Sequence, residues 1–287
     1  MPQVSVVIPA RNAVSTIDDQ LMALSRQTWL DPLEVIVVDN GSSDGTREAA
    51  LRWVPRLTGL SVIVASGLQG VGYARNEGVA HARGSLVLFC DADDVVHEDW
   101  VAKMVTALVE ADVVGGALDL TGLNDEPAIL WQSVAPMISL PVAMEFLPYA
   151  IGANMGFRTE VYSALGGCDE AYLGASEDVE LCWRAQLAGY RLAFAGEAIV
   201  DYRLRTTLRG LARQRFAAGR TFAQLFATYH DQVPARGWWR VEFWRWRHLA
   251  ATAPQLLRRA DAGRWLYDAG WHAGRLFGSF QQRLLCP

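Results

Sequence analysis

Apolar positions along the first part of the chain follow two different periods. Val4 to Ile8 is a β-branched run closed by Pro9, and Leu33 to Val38 is a second run, ending in Asp39. Leu60 to Ala65 is a third and Leu86 to Cys90 a fourth. Short continuous runs of this kind predict strands buried on both faces. Between them the spacing becomes helical. Val14 to Gln27 carries Ile17, Leu21 and Leu24, with Asp18 and Asp19 early, where a helix dipole favours acids. The turn-forming stretch Asn40-Gly41-Ser42-Ser43-Asp44-Gly45-Thr46 predicts a helix start with Asp44 or Thr46 near its cap, and Val71 to Ala82 predicts the next helix. Strand and helix alternating up to a fourth strand predict an α/β fold, a mostly parallel sheet flanked by helices.

Past Val95 the pattern is less regular. Glu98 to Glu110 predicts a helix, and residues 112–135 mix β-like runs with Gly and Asn turns. Gly152 to Phe157 reads as a short strand, Arg158 to Leu165 as a helix broken by Gly166-Gly167, and Ser176-Glu177-Asp178 as the start of a helix running to Ala188. Tyr190 to Tyr202 reads as a β-hairpin turning at Gly196-Glu197. From Leu204 onward the spacing is helical again.

The strongest candidate chemistry sits at a strand end. The apolar run into Cys90 stops abruptly at Asp91-Ala92-Asp93-Asp94. Ligands of open α/β sheets bind at such ends, and an Asp-x-Asp pair offers hard oxygens to a divalent metal. The plainer reading is a polar turn with Asp94 or His97 starting the next helix. The first strand leads into Pro9-Ala10-Arg11-Asn12 rather than a glycine-rich turn, which excludes a dinucleotide fingerprint.

Composition narrows the classes further. A chain of 287 residues that is 51% apolar fits one large domain or a domain with an appendage. Its apolar residues are dispersed, so no spanning helix is expected, and the N-terminus lacks the pattern of a secretory signal. The cysteines Cys90, Cys168, Cys182 and Cys286 have neither metal-like nor disulfide-like spacing, which suits a reducing cytoplasm. Charge divides the chain. Residues 1–202 carry 11 basic and 27 acidic groups, net −16; residues 203–287 carry 15 and 4, net +11. Two regions with different partners are expected.

Five segments taken together resemble the family-2 glycosyltransferases, which share the GT-A fold. They are Val4-Ser5-Val6-Val7-Ile8-Pro9, the stretch from Val38 to Thr46, Ala74-Arg75-Asn76-Glu77-Gly78, Asp91-Ala92-Asp93, and Glu177-Asp178-Val179-Glu180-Leu181. They stand in the family's order and spacing, over about residues 3–205. The resemblance implies a GT-A catalytic domain over residues 1–205, with a nucleotide half to about residue 110 and an acceptor half beyond it. It implies an inverting transfer of a sugar from a nucleotide diphosphate sugar, UDP- or dTDP-linked, to a hydroxyl acceptor in cell-envelope or polysaccharide synthesis.

Residue roles follow from the same resemblance. Asp93 is the metal-contacting carboxylate, for Mg2+ or Mn2+, while Asp91 lies nearer the donor's ribose and reaches the metal through water. Asp39 hydrogen-bonds the base, with Gly41 in the same turn, and Pro9, Ala10, Arg11 and Asn12 line the nucleotide. Arg75 lies near the diphosphate, or else forms a helix-surface ion pair. Asp178 is the general base, where the bland alternative is helix-start decoration. Glu177 orients the loop or touches the sugar. Asn154 lies on the sugar and acceptor floor or is a turn residue. Many relatives carry a histidine after the last hairpin strand, where this chain has Val200-Asp201-Tyr202-Arg203. Asp201 is therefore the candidate third metal ligand, unless the metal keeps only Asp93 and the phosphates. Asp94 is then left as a structural or capping residue.

The region 206–287 reads as a basic, Trp-rich helical appendage, most concentrated from Gly237 to Arg247, with two further helices around Ala250 to Arg259 and Gly263 to Phe280. Peripheral contact with an anionic membrane is one reading, favoured by a lipid-linked or glycan acceptor and placing the chain at the inner face of a membrane. A packed cap or a homodimer contact is another. No nucleic-acid recognition module is present in the pattern. Two other functions compete. A sugar nucleotidyltransferase needs a glycine-rich phosphate loop with lysine, whereas the chain's only lysine is Lys103. A noncatalytic nucleotide-sugar-binding module would have lost Asp91, Asp93 or Asp178, all of which are present.

Overall fold

The computed structural model describes residues 3–132, 137–234 and 238–286, without the side chains of residues 238–243, 255, 257, 259 and 260. The four expected strands are β1 (Val4–Ala10), β2 (Leu33–Asp39), β3 (Leu60–Val64) and β4 (Leu86–Cys90), alternating with α1 (Ile17–Ser25), α2 (Thr46–Leu51) and α3 (Val71–His81). Then follow β5 (Val95–Val96), α4 (Trp100–Glu110), β6 (Val113–Asp119), α5 (Glu126–Gln132), β7 (Asn154–Arg158), α6 (Thr159–Ala164), α7 (Glu177–Leu187) and β8 (Leu192–Asp201). All eight strands form one sheet in the order β3-β2-β1-β4-β7-β6-β8-β5.

β3, β2, β1 and β4 are mutually parallel, while β7 runs antiparallel to β4 and β6. Strand side chains alternate between two cores. Val4, Val6 and Ile8 join Leu21 of α1, Ala49 of α2 and Met104 of α4. Val7, Ile36 and Val38 join Ala74 of α3, Val161 of α6 and Leu181 of α7 on the other face. Each fully buried Val, Leu or Ile contributes about 1.5–3 kcal/mol. These cores hold the C-terminal ends of β1, β2 and β4 in line, where the chain order of the sheet reverses and open sheets bind ligands.

One element corrects the sequence expectation. Tyr190 to Tyr202 is not a hairpin. β8 is a single strand parallel to β6, and its register jumps from Gly116↔Ala195 to Ala117↔Ile199. Gly196, Glu197 and Ala198 are the residues left over by this bulge, and the Gly196-Glu197 dipeptide imitates a hairpin turn in sequence.

The C-terminal helices are α8 (Leu208–Tyr229), α9 (Trp238–Thr252) and, after a 3-10 turn at Ala253–Leu257, α10 (Arg259–Gln282). The expected helix over Ala250 to Arg259 is thus the end of α9 and that turn. Gly237 and the side chains of residues 238–243, within the Trp-rich run, lie outside the described residues. Thr207 caps α8, its Oγ1 accepting from Gly210 N at 3.1 Å. The second half of α8 docks on α7: Trp183 and Tyr229 meet edge-on at 5.3 Å, and Tyr229 donates to Glu180 at 3.1 Å. α8 and α10 run parallel, since Gly270 faces Ala212, Gly274 faces Phe216 and Gly278 faces Arg220. A side chain at Gly274 would enter the Phe216 backbone, so the seam needs glycine there. Among the described residues no helix is long and apolar enough to cross a membrane.

Candidate active site

A cleft of about 1790 Å³ runs along the strand ends and under α8 and α10. Single small-molecule sites commonly have ~300–1,000 Å³, so this one has room for two ligands. β4 delivers Asp91 and the following turn to its floor. Asp91, Asp93 and Asp94 each place a carboxylate oxygen within 4.8 Å of the others. Asp94 is fully buried; its Oδ1 accepts from Arg203 N at 2.8 Å, and its Oδ2 has no hydrogen-bond partner among the described residues. Burial, then repulsion from Asp91 and Asp93, pushes the Asp94 pKa well above the usual carboxylate range. Burial also raises Asp91, with Arg75 opposing and Asp93 and Asp178 adding to the rise. Arginines from the segment after β8 cover the cluster. Arg205 Nη1 is 2.9 Å from Asp93 Oδ2, and Arg203 donates to Asp93 O and to Asp19.

A second group of charges faces this one. Arg75 projects from α3, only 2% exposed, between Glu177 Oε1 at 2.7 Å and Asp91 Oδ1 at 3.3 Å. Burial alone would lower its pKa; Glu177 and Asp91 outweigh that and raise it. Glu177, at the start of α7, is pushed up to about 7 by burial and by neighbouring Asp178, with Arg75 pulling the other way. Gly152 lies where any side chain would strike the Arg75 guanidinium. Its N–H donates to Asp178 Oδ2 at 2.8 Å, while Val179 N donates to Asp178 Oδ1 at 2.8 Å. These amides fix the direction of the Asp178 carboxylate, whose remaining lone pairs can accept further bonds.

Most of the expected residues meet here. Pro9, Ala10, Arg11, Asn12, Arg75, Asp91, Asp93, Glu177 and Asp178 all line the cleft. Asn12 has φ 51° and stitches the β1 and β2 loops together, accepting from Ser43 N at 2.9 Å. Asp39 and Gly41 stand beside the cleft lining rather than in it; Asp39 Oδ1 accepts from Ser42 N at 3.0 Å, shaping the turn. Two candidates have other partners in this structure. Asn154 is fully buried: it accepts from Trp100 Nε1 and donates to the Ala117 and Ala198 carbonyls, tying β7 to α4, β6 and β8. Both N–H groups of its amide are used in these bonds, and its oxygen is enclosed by the fold. Asp201 is outside the carboxylate cluster, its Oδ1 3.1 Å from His97 Nε2. Asp94, read as structural from sequence, stands in that cluster with Asp91 and Asp93.

The residues from 5 to 166 match the model of glycosyl transferase family 2, and residues 86–260 match that of glycosyl transferase family group 2. The chain belongs to glycosyl transferase family 2. Among relatives of this family it is 29% identical to the glycosyltransferase AglE of Haloferax volcanii over 247 residues, 85% of this chain and 80% of AglE. The mannosyltransferase PcManGT from Pyrobaculum calidifontis, solved with GDP-Man and Mn2+, has a TM-score of 0.69 at 22% identity, covering 98% of this chain and 88% of that one. Residues 1–349 of TarS from S. aureus, solved with UDP-GlcNAc, give 0.56 at 19%, covering 98% and 92%. These likenesses establish the GT-A fold of a family-2 glycosyltransferase. The sequence reading set Asp94 aside as structural although it stands in the cluster, and it did not name Gly152 as the partner of Asp178. A glycine before an expected strand was the one available signal for the latter.

Proposed function

We propose that this family-2 glycosyltransferase is inverting and moves a sugar from a nucleotide diphosphate sugar to an acceptor hydroxyl, with Asp178 as general base. The observation supporting this is that Asp178 and the Asp91-Asp93-Asp94 cluster line one cleft, joined through Arg75 and Glu177. Asp178 takes the acceptor proton as the acceptor oxygen bonds to the anomeric carbon. The bond from that carbon to the diphosphate breaks, and its electron pair leaves with the diphosphate. Asp91, Asp93 and Asp94 would hold Mg2+ or Mn2+; an all-oxygen donor set and the unpartnered Asp94 Oδ2 fit such an ion. Bound there, the ion supplies positive charge to the leaving diphosphate. Asp39 and the Pro9 to Asn12 turn would recognise the nucleotide. The family resemblance favours UDP or dTDP, and PcManGT was solved with GDP-Man.

A nucleotide-release screen of UDP-, dTDP- and GDP-sugars tests the donor class. In the donor that works, Asp178→Asn should lower turnover by ~10²–10⁴-fold while nucleotide affinity stays. Near wild-type turnover would remove Asp178 as the base.

The basic tail fits peripheral contact with an anionic membrane, close to a lipid-linked acceptor. Phe280 is 83% exposed and Trp244 60% exposed, beside the exposed Arg245 and Arg247. Such a basic, aromatic face suits the interface of an anionic bilayer. Anionic vesicles should carry the chain upward in a flotation gradient at low salt and release it at high salt. A chain left at the bottom at low salt rejects this contact.

A further inference from the structure

The helical wall of the cleft holds a cation that the transfer reaction as described does not use. Arg215 of α8 lies against two rings of α10, its Cζ 3.8 Å from the Tyr267 ring centre and 4.7 Å from that of Trp271. Glycines make this approach: Gly270 lies over Arg215 Cβ, and Gly219 lies against the Trp271 backbone. The stacked faces hold the guanidinium plane and leave its N–H edge free. Its Nε reaches only the Tyr267 carbonyl, at 3.4 Å, and its terminal nitrogens have no hydrogen-bond partner among the described residues. Asp268 is near enough to attract it but forms no ion pair with it. Of the other arginines lining the cleft, Arg75, Arg203 and Arg205 each have a carboxylate partner, while Arg11 and Arg213, both exposed, form no ion pair among the described residues.

Arg215 also lies on the Asp178 side of the cleft. There α8 packs on the segment just before Asp178, with Ser176 Oγ 2.9 Å from Thr221 Oγ1 and Gly174 against Ala217; Tyr149 also lines the cleft, raised first by its burial and feeling both the Asp178 and the Arg215 charge. An unpaired guanidinium in a partly desolvated wall is an oxyanion receptor lacking its anion. We infer that Arg215, held by Tyr267 and Trp271, binds an oxyanion on the acceptor, so that the hydroxyl that attacks the anomeric carbon belongs to a phosphate- or carboxylate-bearing molecule. This rests on the glycosyltransferase reading above, because it takes Asp178 to mark the acceptor side. If Arg215 only fastened α8 to α10, its loss would lower stability without distinguishing charged from neutral ligands.

The full chain is first saturated with UDP, GDP or dTDP, whichever binds, plus Mn2+, to fill the donor half. It is then titrated with glucose 6-phosphate, glucuronate, farnesyl phosphate and neutral methyl glucoside. At least one charged probe should bind about tenfold or more tightly than methyl glucoside, as expected of charge-assisted hydrogen bonds. The best probe tells a glycan phosphate, a glycan carboxylate and a lipid phosphate apart. Arg215→Gln should abolish that preference and Arg215→Lys restore part of it. The Arg215 Nε–H resonance of the wild-type chain should shift with the charged probe, a readout that survives if the variants fail to fold. No preference in the wild type, or a preference that Arg215→Gln keeps, overturns the inference. Failure of UDP, GDP and dTDP alike to bind would overturn the donor reading and this inference with it, whereas nucleotide binding without anion preference overturns this inference alone.

Discussion

On the strand-end wall of the cleft, cations and carboxylates meet in pairs: Arg75 with Glu177 and Asp91, Arg203 with Asp19, Arg205 with Asp93. On the helical wall, Arg215 meets two aromatic rings and, among the described residues, no carboxylate partner. The first wall carries acids that the fold compensates in part, with Asp94 Oδ2 left over, for a reaction common to many substrates. The second leaves its charge for a ligand to complete. The walls also differ in origin. The strand-end acids follow directly from β4, whereas Tyr149, Arg215 and Tyr267 come from three distant segments. A cleft built this way can keep its chemistry while its acceptor changes.

Arg75→Met should break the comparison most severely. It removes the shared partner of two carboxylates, and Glu177 is only 5% exposed. Removing one member of a buried ion pair costs ~3–5 kcal/mol. Urea unfolding should register that loss, together with loss of nucleotide binding. A change under about 1 kcal/mol would mean that the pair behaves like a surface bridge and does not hold α3 to α7.

How much of this was legible follows the same division. β2 and β4 are continuous apolar runs whose register needs no distant information, and both appear at the expected places. Asp44 and Thr46 were readable as a helix start, and Asp44 accepts from Thr46 N at 3.1 Å. The partners of Asn154 were not legible because an amide in a glycine-rich stretch looks the same whether it faces a sugar or the core. Its three partners, Trp100, Ala117 and Ala198, lie far away in sequence. The partner of Asp201 was not legible because His97 pairs with it only once β5 and β8 are adjacent. Arg215 belonged to a run of arginines at helical spacing. Only the parallel seam of α8 and α10 distinguishes it from the rest.

Gly274→Ala tests whether the two walls are separable, with an intermediate effect. A Cβ there would lie 2.8 Å from Phe216 C and 2.9 Å from its Cα, backbone atoms that move only with the helix. Overpacking of this kind costs ~1–3 kcal/mol, set against about 1 kcal/mol gained from alanine in a helix. The net change should be a loss. Nucleotide affinity should hold while binding of the charged probes weakens. Equal weakening of both would show that α10 supports the strand-end wall as well.

Glu34→Gln gives the smallest expected effect and leaves the cleft out. Glu34 on β2 is 6% exposed; Ser5 Oγ and Arg83 N donate to its Oε2 at 2.5 and 2.8 Å, and Arg83 Nε donates to Oε1 at 2.7 Å. Burial alone would raise its pKa, but these donors and the Arg83 charge hold it below the ordinary value. Stability from a carboxylate lowered in this way is present above its unfolded pKa, about 4.3, and is lost as pH falls through the folded one. Glutamine must turn an NH2 toward a donor in either orientation, so the variant should lose about 1 kcal/mol near pH 7. The gap between wild type and variant should narrow as pH falls below the unfolded value. Because Glu34 pins β2 to the β1 and α3–β4 segments away from the cleft, turnover should not change. A turnover loss that matched the stability loss would mean the strand-end wall draws its geometry from the whole parallel sheet rather than from the strand ends.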